Sequence, residues 1–428
     1  MIARLNGIIE RYNLVTVFLG VLLFFQPFLR HAGVRNTAFV LLVGCLVIRS
    51  ASGKFRVDLK DRTVQAFFAL AAAIFLSAAL SPYAGESFNA IRKDFLYQAV
   101  IFFAIITQYR DAAGLRPVLL FILAGFAAVT VKVVALTDLS RLLDWLGETD
   151  VVNTGLRGYS SFATFFIPLA VAYLYSFREK RPLAAALVFF IALEIVLSVL
   201  NNHRAQVAAF LAGLFFMTLA AGRYKVLLAG ALALVISVSV LLSVKPDMLE
   251  RYKTILFPKT YVTNTNEGMN GRLGIWKGAV DMIEDRPVLG WGYGWKKMHH
   301  VARDGGYMER WDKKSYTYYY FGLSYGRVNP HNLFLQLLFE VGVIGLAALV
   351  AFWATIVAKA ASLRRSRGPA ASFVRYSALG VLVSYFIVNL ANGFWVEGYG
   401  NLMMAFAAIC VVLHGEGRQE PLPPGAAR

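Results

Sequence analysis

The sequence predicts an all-α polytopic membrane protein with about twelve transmembrane helices and one large, partly helical loop between spans 9 and 10. Three observations carry that prediction. Hydrophobic residues make up 58% of the 428 and charged residues only 16%, with a mean hydropathy of +0.58, a balance that excludes a soluble domain. Apolar runs approaching the ~20 residues that a transmembrane helix needs recur along the chain, separated by polar connections. Lys and Arg favour alternate connections, as the positive-inside rule expects of a multi-spanning protein.

In order, the runs begin near Leu14, Thr37, Thr63, Phe95, Val118, Ser160, Leu183, Ala205, Val226, Leu333, Ser377 and Tyr399. The mixed-polarity stretch Met1 to Asn13 leads into a run without a small-residue cleavage site, so the first span is expected to be retained. Twelve crossings put both termini on one side. The connection Arg49 to Arg62 carries five Lys and Arg, Arg178 to Arg181 three and Lys359 to Arg375 five, and the smaller connections add Arg110, Arg116, Arg223 and Lys225. All share the side of the termini, which is therefore expected to be cytoplasmic. The expected division is spans 1–9 over residues 1–244, the outer loop over 245–331, spans 10–12 over 332–414 and a cytoplasmic tail over 415–428. Cys45 and Cys410 both fall inside apolar runs and read as packing residues.

The outer loop holds fourteen Lys and Arg against nine Asp and Glu. Long loops translocate largely regardless of charge, so the excess does not contradict the topology, and an anionic ligand would account for it. Nothing calls for a nucleic-acid partner. From Gly271-Arg272 onward, Leu273, Trp276, Val280 and Ile283 recur at helical spacing, which predicts an amphipathic helix ending before Pro287. A Gly and aromatic turn, Leu289 to Trp295, follows. The cluster Tyr316 to Phe321 suits either sugar stacking or the headgroup belt, with the belt favoured.

Three residues share one placement. Arg204 follows Asn201-Asn202-His203, Arg272 follows Asn270-Gly271, and His331 follows Asn329-Pro330, each at an expected helix start. Asn329 reads as an N-cap and Pro330 as the first helical residue, which puts His331 in the first turn. Unpaired N–H groups and the macrodipole there favour an anion, and two guanidinium forks suit a pyrophosphate. The same end disfavours an imidazolium, biasing His331 toward the neutral form that a general base needs. Interfacial anchoring by the arginines and headgroup contact by the histidine are the competing readings. Lys132 and Glu194 lie inside apolar runs and are expected to pair with each other or to line a proton or ion path. Asn332, Gln336 and Glu340 form a polar stripe expected to pack against neighbouring spans. Arg92, Lys93, Arg157 and Glu397 sit on outer loops or span ends, where solvated charge is the default and substrate contact the functional reading. The sequence has no DxD, no His and carboxylate metal cluster and no Walker-type loop, so neither metal, ATP nor any other cofactor is expected.

Pro330-His331-Asn332 with Leu335, Glu340, Gly342 and Gly345, preceded by Gly271-Arg272 and the turn Pro287-Val288-Leu289-Gly290-Trp291-Gly292, resembles the Wzy and O-antigen ligase superfamily of membrane glycosyltransferases. That resemblance implies a metal-independent enzyme moving a glycan from undecaprenyl pyrophosphate to lipid A core oligosaccharide at the periplasmic face of the bacterial inner membrane. It makes His331 the general base and places Arg204 and Arg272 at the pyrophosphate. Arg157, in Gly155-Leu156-Arg157-Gly158, matches the family's Arg and Gly segment less closely, since Ser160-Ser161-Phe162 stands where an Asn-rich part often follows. A polymerase and a protein O-oligosaccharyltransferase would share the site and differ in acceptor. A lipid-linked glycan transporter is the alternative of another class, and would depend on Lys132 and Glu194.

Overall fold

The computed structural model describes residues 1–28, 31–136, 154–177, 179–200, 204–230, 269–393, 395 and 397–419, with 232, 239 and 243 besides. Among the described residues helices are the only regular elements. Seven helices are long and apolar enough to cross a membrane: Ala32–Ala51, Arg62–Ala79, Ala112–Ala135, Arg181–Ser198, Leu333–Ser362, Pro369–Asn389 and Glu397–Arg418. Ile2–Arg11 and Leu14–Phe24 form a further pair bent by 59°, and Ser161–Ser176 and Ala205–Ala220 are shorter apolar helices. The bend falls at Asn13, whose left-handed φ of 48° turns an amphipathic segment into an apolar one. The expected span near Val226 lies mostly outside the described residues. The last helix continues to Gln419, past the expected boundary at residue 414.

Glu397–Gln419 is the centre of the bundle, with Met403 through Cys410 almost wholly inaccessible. Cys45 is likewise buried, and both cysteines are free. Arg62–Ala79 runs antiparallel to Leu333–Ser362. Thr355 donates to Thr63 at 2.9 Å and Lys359 to Asp61 at 2.5 Å at one end, while Ser77 donates to the Glu340 carbonyl at 2.8 Å at the other. Asp61 also caps its own helix, accepting from the Thr63 and Val64 amides. Gly213 packs against Gly380 and Ser384, so Arg204–Ala220 and Val383–Asn389 also lie side by side. The basic connections collect at one end. Arg49 meets Glu10 at 3.2 Å, Arg116 meets Glu179 at 2.5 Å, and Arg223 lies 4.6 Å from the Tyr175 ring.

Residues 269–332 build a small helical domain on the opposite end, with its own core of Ile275, Met282, Met298, Trp311, Phe321 and neighbours. Its first helix, Met269–Asp285, ends before Pro287 as expected, but its buried face is phased differently. Leu273 and Val280 are exposed, whereas Ile275, Ala279, Met282 and Ile283 are buried. The reason is the small residues: Gly274 and Gly278 let Thr317 and Phe321 approach so closely that a Cβ at Gly278 would collide with them. The aromatic cluster also departs from the headgroup-belt expectation, because Tyr320 and Phe321 are part of the domain core.

The sequence shows Leu333 onward as one uninterrupted apolar run, but the helix breaks at Gly342, whose φ is 62°. The Pro287–Gly294 turn fills the break. Val343 and Ile344 donate to the carbonyls of Pro287 and Val288 at 2.8 and 3.3 Å, and the Trp291 amide donates to the Phe339 carbonyl at 2.7 Å. Ser77 and Ser81 donate to the carbonyls of Leu289 and Trp291, both at 2.5 Å. Backbone groups freed by the break thus find partners where water is scarce. Gly342→Ala is expected to cost roughly 2 kcal/mol or more, because its left-handed φ penalises any Cβ and that Cβ would strike the Val288 backbone. A lowered thermal midpoint in detergent is the readout, and an unchanged midpoint would contradict the account.

Candidate functional site

His331 sits in a three-residue loop that the small domain clamps. The indole Nε1 of Trp276 donates to the Pro330 carbonyl at 3.0 Å. The Tyr320 hydroxyl donates to the Asn329 carbonyl at 2.8 Å and accepts from the Asn329 amide at 3.1 Å. Asn329 Oδ1 in turn accepts from the His331 amide at 2.7 Å. These bonds hold His331 at φ 48°, a left-handed conformation that a non-glycine residue keeps only when its surroundings enforce it.

The helix start differs from the expected one. Asn332, not Asn329, is the N-cap: its Oδ1 accepts from the amides of Phe334 and Leu335 at 2.9 and 3.1 Å, and helix begins at Leu333. An asparagine side chain that reaches two amides outcompetes one that reaches none of that helix. His331 therefore precedes the cap instead of lying in the first turn. The residue as a whole is exposed, but crowding around the imidazole, first through loss of hydration, and the neighbouring Arg272 cation, second, lower its pKa below the ordinary histidine value. The neutral imidazole expected from a helix terminus is thus obtained by other means.

Arg272 is in the first turn of Met269–Asp285, one turn before Trp276, whose bond to Pro330 brings this face of the helix to His331. Burial lowers the guanidinium pKa, and an arginine remains charged throughout the physiological range. Arg204 opens its helix as expected, though its side chain lies outside the described residues. Gly213 faces Ser384 and Gly380 in that antiparallel pairing, which sets Arg204 at the end where Asn332 Nδ2 donates to the Leu390 carbonyl at 3.1 Å. The backbones of all three residues are therefore at one end of the bundle. Arg157 belongs to the first turn of Thr154–Ser176, and its side chain too is outside the described residues.

The polar stripe is a wall behind His331. Gln336 donates to Glu340 at 2.7 Å, and the other carboxyl oxygen accepts from the Gly294 amide at 2.9 Å. Lys297, 1% exposed, donates to the carbonyls of Gly292, Tyr293 and Gly294 at 2.6, 2.6 and 2.9 Å. Burial brings its pKa down to about 8, opposed by Glu340 and Glu86. With all three N–H groups engaged, this ammonium serves the turn.

Beyond the wall lies a cavity of about 930 Å³ at the same end of the bundle. It gathers three of the four residues read from sequence as candidate substrate contacts, Arg92, Lys93 and Glu397, and adds Arg35, Lys296 and Asn401. Arg92, Lys93 and Asp94 lie in a π-helical turn, Ile91–Phe95, a local widening that re-aims side chains and recurs at functional sites. Burial and nearby Glu397 raise the Asp94 pKa to about 6. Glu397, at φ 59°, meets Lys296 at 3.3 Å. His331 and Arg272 do not line this cavity. Arg35 escaped sequence reading because it resembles an ordinary span-end cation, and Asn401 because it lies within an apolar run.

Lys132 and Glu194 do not pair with each other. Glu194 accepts from the Thr130 hydroxyl, whereas the Lys132 ammonium lies 5.6 Å from the Phe28 ring. Two residues apart on a helix, Thr130 and Lys132 project on different faces, so facing Glu194 with one turns the other away. Among the described residues no three His, Cys, Asp or Glu side chains gather as metal ligands.

Residues 187–350 match the family model described as O-antigen ligase, a span containing Arg204, Arg272, His331 and the Gly342 break. The chain is also 27% identical over 299 residues to a Pseudomonas aeruginosa protein named O-antigen ligase. That match covers 68% of this chain and 62% of the relative, so the chain spans about three fifths of that protein's length. Together the two matches support the O-antigen ligase family resemblance read from the motifs.

His331 is expected to titrate below the ordinary 6.5 in histidine-labelled protein followed by NMR, and Arg272→Gln to move the transition up by the smaller part of that shift, since loss of hydration, its larger cause, remains. With the folded pKa below the unfolded one, the unfolded chain takes up the proton first. This residue therefore weakens the fold as pH drops from 6.5 through its folded pKa and is neutral in its effect above 6.5. A native midpoint at 6.5 would contradict the assignment.

Proposed function

We propose that this chain, matched by the O-antigen ligase family model over residues 187–350, is a glycosyltransferase that moves an O-antigen glycan from undecaprenyl pyrophosphate to lipid A core oligosaccharide. The observation that carries the reading is the clamped Asn329–His331 loop, which holds a neutral imidazole beside Arg272. His331 takes the proton of an acceptor hydroxyl as that oxygen bonds to the anomeric carbon. The bond from that carbon to the pyrophosphate oxygen breaks, and both electrons leave with the lipid pyrophosphate. Arg272 and Arg204 meet the charge that develops there. The imidazolium then releases its proton to water. One direct displacement inverts the anomeric configuration, and with arginines stabilising the leaving group no metal is needed.

A base whose conjugate acid has a pKa below the ordinary histidine value is weak at neutral pH. A bound pyrophosphate would offset the Arg272 cation and raise the basicity of His331, so the base becomes effective once donor is present. The twelve-span reading puts this end of the bundle on the periplasmic face of the bacterial inner membrane.

Purified protein mixed with undecaprenyl-linked glycan and lipid A core, without ATP and with EDTA, is expected to give ligated product. His331→Ala should lower the rate by about 10²- to 10⁴-fold, the usual contribution of a general base. Arg272→Lys should also slow transfer, through loss of the bidentate fork. A retained anomeric configuration would overturn the mechanism. Polymer growth from the lipid-linked units alone would indicate a polymerase.

A further inference from the structure

The cavity beyond the wall has a composition that the reaction at His331 does not explain. Five cationic side chains, Arg35, Arg92, Lys93, Lys296 and Lys297, line it against three carboxyls, Glu86, Asp94 and Glu397. Lys296 is taken by Glu397, and Lys297 by three carbonyls. Among the described residues, no carboxylate pairs with Arg35, Arg92 or Lys93. Arg35 is also in the first turn of Ala32–Ala51, where the helix dipole adds to its attraction for an anion. Two acceptors oppose these cations. Asn401 is 6% exposed, and its Oδ1 has no partner, nor does Glu86 Oε2. Buried acceptors without donors are costly unless a ligand supplies the hydrogen. The lip is apolar: Val40 is 65% and Leu96 43% exposed, on helices whose outward faces meet hydrocarbon.

We propose that this cavity binds the phosphorylated sugar headgroup of an anionic glycolipid, with phosphate on Arg35, Arg92 and Lys93, sugar hydroxyls donating to Asn401 and Glu86, and acyl chains descending past Val40 and Leu96. A free sugar phosphate would have no use for the apolar lip, and a zwitterionic phospholipid would bring an ammonium in among these cations. Resting on the transfer reaction proposed above, the lipid bound here is the acceptor, because neither Arg272 nor His331 is among the cavity's described lining residues.

The test measures binding, not transfer, so its outcome is separate from that of the reaction. Native mass spectrometry of the full chain would give Kd for lipid A, for dephosphorylated lipid A and for undecaprenyl pyrophosphate. Removing the phosphates is expected to weaken lipid A binding roughly tenfold or more, the scale of one or two lost charge-assisted contacts. Arg35→Gln with Lys93→Gln should do the same to intact lipid A while leaving undecaprenyl pyrophosphate unaffected. Arg92→Gln, at an exposed position, offers a second variant that disturbs packing little. Equal affinity for both forms of lipid A, unchanged affinity in all variants, or selective loss of undecaprenyl pyrophosphate would each overturn the proposal.

Discussion

The break at Gly342 and the turn that fills it are the constraint on which the rest of the molecule depends. A helix interrupted within the bundle exposes amides and carbonyls to surroundings that cannot hydrate them, at about 1–3 kcal/mol for each group left unpaired. The Pro287–Gly294 segment supplies those partners, and Ser77 and Ser81 fasten it from the neighbouring helix. The small domain is therefore built into the bundle instead of hanging from it by its two ends. One consequence is local: the segment carrying His331 and the segment carrying Lys296 are held against each other. Glycine is needed at residues 290 and 342 because each has a positive φ and faces the other segment's backbone.

How much of this was legible in the sequence depends on the kind of signal. Apolar runs and the distribution of Lys and Arg reveal which connections share an end, since those signals are averages over many residues. They cannot reveal a break inside a continuous apolar run, where Gly342 looks like any small residue in a span. The cap lies three residues beyond the one the sequence predicts because Asn329, Pro330 and Asn332 all carry start-like chemistry, and only the reach of Asn332 to two amides decides among them. The loop helix buries a different face from the one its large apolar residues mark, because Gly274 and Gly278 admit the close neighbours. Arg92, Lys93 and Glu397 could be named as candidates, but their convergence depends on a π-helical turn and a left-handed Glu397 that no local pattern announces.

Electrostatics at His331 follow from the same clamp. Expectation from sequence invoked the helix dipole, but the imidazole stands outside the helix and owes its neutrality to dehydration and to Arg272. The difference matters because a dipole is fixed, whereas the field of an arginine can be answered by a ligand. In the proposed reaction, a base held neutral by a cation that also meets the donor would be weakest when the donor is absent. Such an arrangement would link proton acceptance to occupancy without any moving part.

The wall between His331 and the cavity gives the two sites different duties. Gln336, Glu340, Gly294 and Lys297 bond into one buried network, so neither side can shift without disturbing the other. Losing one member of such a network is costly, because it leaves a buried charge or polar group without its partner. A headgroup held by Arg35, Arg92 and Lys93 cannot itself be the nucleophile, because His331 is not among the residues lining that cavity. In the proposed reaction the attacking hydroxyl would then belong to sugars that extend from the headgroup past the wall. Recognition of the lipid and activation of the hydroxyl are thereby separated along one acceptor molecule. The family-matched span, residues 187–350, holds Arg204, Arg272 and His331, while Arg35, Arg92, Lys93 and Asn401 lie outside it.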